Sequence, residues 1–263
     1  MRRITIQDCI YEVPSDWNEI SKEQLVALIR ISQKTSLTHI EIRLKFLLYC
    51  IRGRITLDIG IGMYVLSTIQ AKHYLLPNEL TVLLSVFDYL FDVSDDGTHY
   101  LSPKLVVNHF RKVRSRFRTL YGPNDALDNI TYDQFVWLQT WQSRMNNDDE
   151  AIDQLINVIY KTKSGKQNVC NARRISNVAK TAILWYYLGT LHFLSCRFPH
   201  VFSGSGSDAD NVFDNQQRII DSLADGDVTK KMQVRDSLLY DALYSMEMAA
   251  VRAEEMEKSY KQS

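Results

Sequence analysis

Apolar positions along this chain recur mostly at spacings of three and four. Leu25, Leu28 and Ile29 form one such set; Ile40, Leu44, Leu47, Leu48 and Ile51 form a second. Leu80, Leu83, Leu84, Phe87, Leu90 and Phe91 form a third, and Ile152, Leu155, Ile156 and Ile159 a fourth. That period lines one face of a helix with core-forming side chains. It also predicts a helix over residues 63–75, and one opened by Ser102-Pro103 whose buried stripe is Val106, Phe110, Val113, Phe117 and Leu120. A helix carrying Phe135, Leu138 and Met145 also bears Trp137 and Trp141; a long one spans about 171–194, and a short one lies near Ile219, Ile220 and Leu223. Strict alternation occurs at the start, where Arg3-Ile4-Thr5-Ile6 and Ile10-Tyr11-Glu12-Val13 flank Gln7-Asp8. This predicts a small β-hairpin that Pro14 ends.

Helix starts are marked by chemistry as well as by period. Ser21-Lys22-Glu23-Gln24, Thr38-His39-Ile40-Glu41 and Thr131-Tyr132-Asp133-Gln134 are capping boxes. In each, a hydroxyl and an acid or amide three residues on satisfy backbone donors that the first turn leaves open. Gly53 is a stop signal, and Tyr121-Gly122-Pro123-Asn124-Asp125 is the clearest break in the middle of the chain. Residues 161–168 read as a polar connection, residues 203–208 (Ser-Gly-Ser-Gly-Ser-Asp) as a flexible linker, and Asp225-Gly226 as a turn. The expectation is a mainly α protein, a multi-helix bundle with a small N-terminal β-hairpin and a long C-terminal helix. Its parts are residues 1–122 (hairpin and helical subdomain), 123–202 (central helical subdomain), 203–226 (linker and short helix) and 227–263 (terminal amphipathic helix).

The terminal segment is the strongest functional handle. Residues 227–260 contain no Gly or Pro and predict one uninterrupted helix. Leu239, Ala242, Met246, Ala249, Ala253, Met256 and Tyr260 recur at alternating steps of three and four, the narrow seam of a coiled-coil partner. The competing reading is that this seam packs on the body of its own domain.

Composition narrows the classes. With 31 basic and 31 acidic side chains in 263 residues the formal charge is zero, without the basic excess of a dedicated nucleic-acid binder. Cys9, Cys50, Cys170 and Cys196 are far apart with no Cys-x-x-Cys pair, which suits reduced, mostly buried thiols better than a disulfide framework or structural zinc. No targeting segment is read at the start, and the most apolar run, residues 182–194, is too short to span a bilayer and reads as a core helix.

Candidate chemistry is sparse. Asp92-Val93-Ser94-Asp95-Asp96-Gly97-Thr98 resembles the first half of a calcium loop, but Pro103 stands where the bidentate Glu belongs, so a polar turn between helices is expected. Ser164-Gly165-Lys166 lacks the earlier Gly and the following Ser or Thr of a phosphate loop. His192 and Cys196 lie one turn apart without a third ligand and read as a core pair. Residues 146–150 (Asn-Asn-Asp-Asp-Glu) read as an acidic helix start rather than as a general acid/base pair. Arg111, Lys112, Arg114, Arg116 and Arg118, with Lys104 upstream, crowd the helix expected over 104–118. They form either a solvated face or a contact for an acidic protein or phosphate. Trp137 and Trp141 serve equally as core or as partner anchors.

Five phrases stand out in order along the chain: Val13-Pro14-Ser15-Asp16-Trp17-Asn18-Glu19-Ile20, Tyr121-Gly122-Pro123-Asn124-Asp125-Ala126-Leu127, Asn129-Ile130-Thr131, Cys196-Arg197-Phe198-Pro199, and Leu223-Ala224-Asp225-Gly226-Asp227-Val228-Thr229-Lys230. They resemble a family of helical proteins encoded by tailed phages and prophages of Bacteroidetes hosts, among the tail genes near the tape-measure protein. The resemblance implies a tail assembly chaperone or related morphogenesis factor acting in the host cytoplasm, a holdase that coats a long helical tape-measure chain. No catalytic residue and no cofactor come with it. The length departs from the family, since many tail chaperones are smaller.

The expected function is therefore non-enzymatic protein binding through the terminal seam, with Arg111, Arg114 and Arg118 giving electrostatic selection and Trp137 and Trp141 as possible anchors. The alternatives are a structural subunit of the particle, and a nucleic-acid-binding protein using the basic helix.

Overall fold

The computed structural model describes residues 1–34, 36–58, 62–116, 118–165, 169–202, 212–224 and 226–262. The chain divides into two compact units, Met1–Leu105 and Val106–Ser263, so residues 106–122 fold with the second unit rather than the first. Each unit combines helices with small antiparallel sheets, making the protein mixed α/β rather than an all-helical bundle.

The first unit opens on the expected hairpin, β1 (Arg2–Ile6) and β2 (Cys9–Val13). Ile6 pairs with Cys9 across the two-residue turn, and Gln7 takes the left-handed conformation (φ 50°) that such a turn requires. Ile4, Ile6, Tyr11 and Val13 are buried on one face. The buried Trp17 follows in a 3₁₀ turn, Trp17–Glu19, and its indole N–H donates to the Tyr89 carbonyl (3.1 Å).

Helices α1 (Lys22–Ser32) and α2 (His39–Cys50) begin at the Ser21 and Thr38 boxes, with both reciprocal bonds formed in each. The end of α2 differs from the expectation by one residue. Arg52, not Gly53, holds the left-handed position (φ 51°), and the Gly53 N–H bonds the Leu48 carbonyl at 2.8 Å in a Schellman closure.

The helix expected over 63–75 is instead β4 (Met63–Ser67) and β5 (Lys72–Leu75), the centre and far edge of a sheet that begins with β3 (Arg54–Asp58). Period two wins there: His73 and Leu75 are buried while Lys72 and Tyr74 are exposed. The Thr68 hydroxyl closes the connecting turn by accepting the Gln70 and Ala71 N–H groups. Helix α3 (Pro77–Leu84) runs into a 3₁₀ stretch, Ser85–Leu90, then β6 (Phe91–Val93) and β7 (His99–Leu101).

In the second unit, the helix expected after Pro103 is a β-hairpin, β8 (Lys112–Ser115) and β9 (Arg118–Tyr121). Val113 and Leu120 pair across it and are buried; Ser115 is also buried and its hydroxyl donates to the Asn171 carbonyl. Phe117, placed in the expected stripe, lies outside the described residues. Tyr121 then exchanges backbone bonds with Lys161 (2.8 and 3.0 Å), laying residue 161 against β9.

Gly122 is required at the exit. A Cβ there would lie 2.4 Å from the Tyr160 ring, which is buried and donates its hydroxyl to the Phe110 carbonyl. The ring has no room to retreat, so Gly122→Ala is expected to cost about 2 kcal/mol, read as a lower urea midpoint.

A 3₁₀ turn, Asp125–Leu127, leads to α4 (Tyr132–Ser143), started by the Thr131 box, and α5 (Ala151–Ile159). The expected 171–194 helix is divided into α6 (Val169–Ala172) and α7 (Asn177–Arg197), because Ser176 turns extended and caps α7 with its hydroxyl. Tyr186 and Tyr187 of α7 are buried. The Tyr186 hydroxyl donates to the Asn124 carbonyl (2.5 Å) and accepts the Leu127 N–H (2.9 Å), holding Ala126 and Leu127 at φ 55° and 58°.

Three further helices are α8 (Pro199–Phe202), α9 (Val212–Leu223) and α10 (Val228–Asp236). The expected linker at 203–208 lies outside the described residues. The terminal helix is not continuous either. α10 stops at Ser237, which is extended (ψ 151°), and α11 (Leu239–Gln262) starts anew. The cause is tertiary. Ser237 and Leu239 trade helical bonds for bonds to the Tyr132 N–H (2.9 Å) and the Ile130 carbonyl (3.0 Å). No Gly or Pro is needed once another backbone offers those partners.

Candidate functional site

The terminal seam splits at about its second turn. Leu239 and Ala242 are buried, with Leu243 fully buried beside them, so the root of α11 belongs to the core of its own unit. Met246 is half-buried, whereas Ala249 and Ala253 are exposed and Met256 is 59% exposed. The side chain of Tyr260 lies outside the described residues. The expected row of seven is therefore two surfaces, one spent on folding and one facing solvent.

Several large apolar side chains of this unit are exposed. Among the described residues of the second unit they are Tyr121, Trp137, Val228, Met232, Leu238, Tyr244 and Met256. All but the first two lie on α10, α11 or their junction. Val228 and Met232 are one helical turn apart on α10, the spacing of a shared face. Periodicity singles out neither of them, nor Tyr244, because a seam pattern does not mark the residues that the fold leaves exposed.

α10 is held in place by charge. Arg235 bonds Asp133 of α4 through Nη1 (2.6 Å) and Gln217 of α9 through Nη2. Trp137, on α4, is 38% exposed; Trp141 is half-buried with the Arg144 guanidinium 5.3 Å from its ring centroid. The pair is thus neither a core pair nor a fully exposed one.

α11 is pinned one turn past its root by a cluster that sequence spacing could not reveal. Nδ1 of His200, on α8, is 2.5 Å from Oε1 of Glu247, and its Nε2 is 3.5 Å from Oε2 of Glu254. Glu247 also accepts the backbone N–H groups of His200 (3.3 Å) and Val201 (3.1 Å). The bond to Glu247 raises the His200 pKa above its ordinary value, against a smaller opposing effect of desolvation. Desolvation works to raise Glu247, but the His200 and backbone bonds together hold it below the usual carboxylate range.

The signs define a window. A histidine raised in the folded state stabilises below its unfolded pKa, near 6.5, and loses that contribution as pH rises through the folded value. A lowered carboxylate contributes above its unfolded pKa and loses as pH falls through the folded one. The α8–α11 contact is therefore expected to be firmest in mildly acidic solution. Amide exchange at residues 246–254 should quicken as pH rises past the His200 pKa, beyond the intrinsic pH dependence of exchange, and His200→Gln should remove that step.

The basic residues occupy a hairpin rather than a helix. Lys112, Arg114 and Arg118 are exposed on β8 and β9. Arg111 just precedes them and pairs with Asp125 at 2.6 Å, and Lys104 belongs to the other unit, paired with Asp92 at 2.9 Å. The calcium-like residues 92–98 form the turn between two strands, not two helices. Its Asp92 carries the Lys104 ammonium, and Asp96 is occupied by the Ser94 hydroxyl and the Thr98 N–H.

His192 and Cys196 do approach, Sγ to Nε2 3.9 Å, but both are exposed, which corrects the expected core pair. Cys9 and Cys50 are half-buried, so the expected mostly buried thiols are not found among the described residues. Burial still disfavours the thiolate and pushes the Cys50 thiol up to about 12, offset in part by the Gln24 hydrogen bond. His39 and His99 stack at 4.1 Å, a pairing their spacing concealed. Burial first, then His99 and Arg43, lowers the His39 pKa.

Among the described residues, no group of three or more His, Cys, Asp or Glu is placed to hold a metal ion, and no helix is long and apolar enough to cross a membrane. No protein-family model, curated protein or solved structure matches this chain.

Proposed function

We propose that this protein is a non-enzymatic binding factor that holds a helical partner chain, and that it acts as a tail assembly chaperone in the host cytoplasm. The observation that supports the reading is the exposure of large apolar side chains along α10, α11 and their junction: Val228, Met232, Leu238, Tyr244 and Met256. Large apolar side chains left in water along two consecutive helices suit a partner whose own apolar face covers them. The exposed turns of α11 beyond Val251 carry Ala253 and Met256 on the seam face, with Arg252, Glu254, Glu255 and Lys258 beside them; Tyr244 lies on another face of the same helix.

The chaperone role rests on the resemblance of the five phrases to phage tail-morphogenesis proteins. A holdase leaves its client when the tube assembles around it. The test is quantitative mass spectrometry of purified particles, together with deletion of the gene. Tails should fail to form without the protein, yet finished particles should contain none of it. A fixed number of copies per particle would overturn the chaperone reading in favour of a structural subunit.

A further inference from the structure

We infer that the β8–β9 hairpin and the segment beside it form a binding surface for the phosphates of single-stranded nucleic acid. This surface is distinct from the α10–α11 face and does not depend on the function proposed for that face.

The charge of the chain is balanced overall but not locally. No carboxylate occurs between Asp96 and Asp125, and none between Asp153 and Asp208. The fold brings these two acid-free stretches together. The Tyr121–Lys161 bridge lays residue 161 against β9, and Lys163 lines one depression with Arg118, so Lys161 and Lys163 stand beside the hairpin cations. Lys112 and Arg114 share one face of the hairpin, and the exposed Arg118 stands opposite Ser115 next to the turn. Among the described residues none of these five enters an ion pair, whereas the neighbouring Arg111 does. Like charges held this close repel one another, and an anion supplied from outside relieves that.

The kind of anion follows from what accompanies the charges. A shallow depression of about 490 Å³ is lined by Arg118, Thr119, Tyr121, Thr162, Lys163 and Ser164. It offers cations, aliphatic hydroxyls and an exposed tyrosine, and no carboxylate. Hydroxyls and cations in combination are the usual contacts to phosphate oxygens. Lys112 and Arg114 lie two residues apart on one strand, roughly 7 Å, close to the separation of successive phosphates along an extended single strand. Tyr121, 38% exposed, shares their outer face in the hairpin register, opposite Lys112, whose ammonium is 5.7 Å from its ring centroid. An aromatic ring among cations is a stacking platform for bases, which an acidic peptide would not use.

The test is fluorescence anisotropy of the full chain with a labelled thirty-residue oligo-dT. With four phosphates neutralised by Lys112, Arg114, Arg118 and Lys163, affinity should fall roughly 50-fold between 50 and 200 mM salt. The variant R114E/R118E/K163E should weaken binding at least 30-fold at low salt while keeping the wild-type thermal melting curve. R54E/K72E, a charge reversal on an exposed sheet of the first unit, should leave binding within twofold. Three results would overturn the inference. One is no binding at 50 mM salt. Another is equal binding by the folded hairpin variant. The third is displacement of the oligonucleotide by poly-glutamate of equal charge, or by millimolar inorganic phosphate at constant ionic strength, which would assign the surface to an acidic protein or to free phosphate.

Discussion

Lys180→Met is expected to destabilise the second unit by about 3 kcal/mol. Lys180 of α7 reaches the carboxylate of Asp153 on α5, and the two side chains are only 18% and 11% exposed. Removing the ammonium leaves a carboxylate enclosed by the packed α5–α7 face with its counter-ion gone. The cost comes from that stranded charge more than from the lost attraction, since desolvation had already offset much of the pair's Coulombic gain. The double variant Asp153→Leu/Lys180→Met should accordingly regain most of the loss. Urea unfolding of the wild type, the single and the double variant checks both statements. A single variant within 0.5 kcal/mol of the wild type would mean that water reaches Asp153 freely.

Leu243→Ala should cost a similar amount, about 3 kcal/mol, through a cavity under the root of α11. Leu243 is fully buried, as is Leu239, while Met256 on the same helix is 59% exposed. Met256→Ala is therefore expected to change stability by less than about 0.5 kcal/mol. The contrast separates the two halves of what looked like one seam. If both substitutions proved equally costly, the outer half of α11 would be packed after all, and unavailable to a partner.

The parts of this fold that were legible in the sequence depend on local chemistry. The three capping boxes at Ser21, Thr38 and Thr131 start helices as read, because both halves of each box lie within four residues. The N-terminal hairpin was legible for the same reason: its register needs only the two-residue turn. The errors arose where two periods coincide. Val113 and Leu120 are seven apart, which fits a helical stripe as well as the inner face of a hairpin. The evidence against the helix was nevertheless present, since Lys112 and Arg114 alternate with Val113 and Ser115, the period of a strand. Counting the cations as well as the apolar residues would have found it. Similarly, His73 and Leu75 alternate with Lys72 and Tyr74 inside the stretch read as a helix.

Other features were not legible at all. The break between α10 and α11 is made by backbone bonds to Ile130 and Tyr132, more than a hundred positions away. The left-handed Ala126 and Leu127 are held by the Tyr186 hydroxyl, and no local rule would place two such residues there without glycine. The candidate binding surface suffered most from this. Leu239 and Ala242 match a partner seam by spacing, yet tertiary packing spends them on the core, while Val228, Met232 and Tyr244 are what it leaves exposed. A seam can be read from periodicity, but which of its residues remain available is decided only when the rest of the chain is in place.

That division also determines how the binding reading must be tested. Truncation after residue 225 would remove Leu239, Ala242 and Leu243 from the core and confound lost binding with lost folding. Substitutions on the solvent side avoid this. The most direct measurement is co-expression capture of the longest coiled-coil-rich protein encoded in the same genome, comparing the wild type with M232D/Y244D/M256D. The wild type should retain that protein in soluble form. The variant should remain folded, with an unchanged urea midpoint, and lose at least nine-tenths of the capture. Equal capture by the folded variant, or no capture of a soluble partner by the wild type, would contradict the assignment of this surface to a helical client.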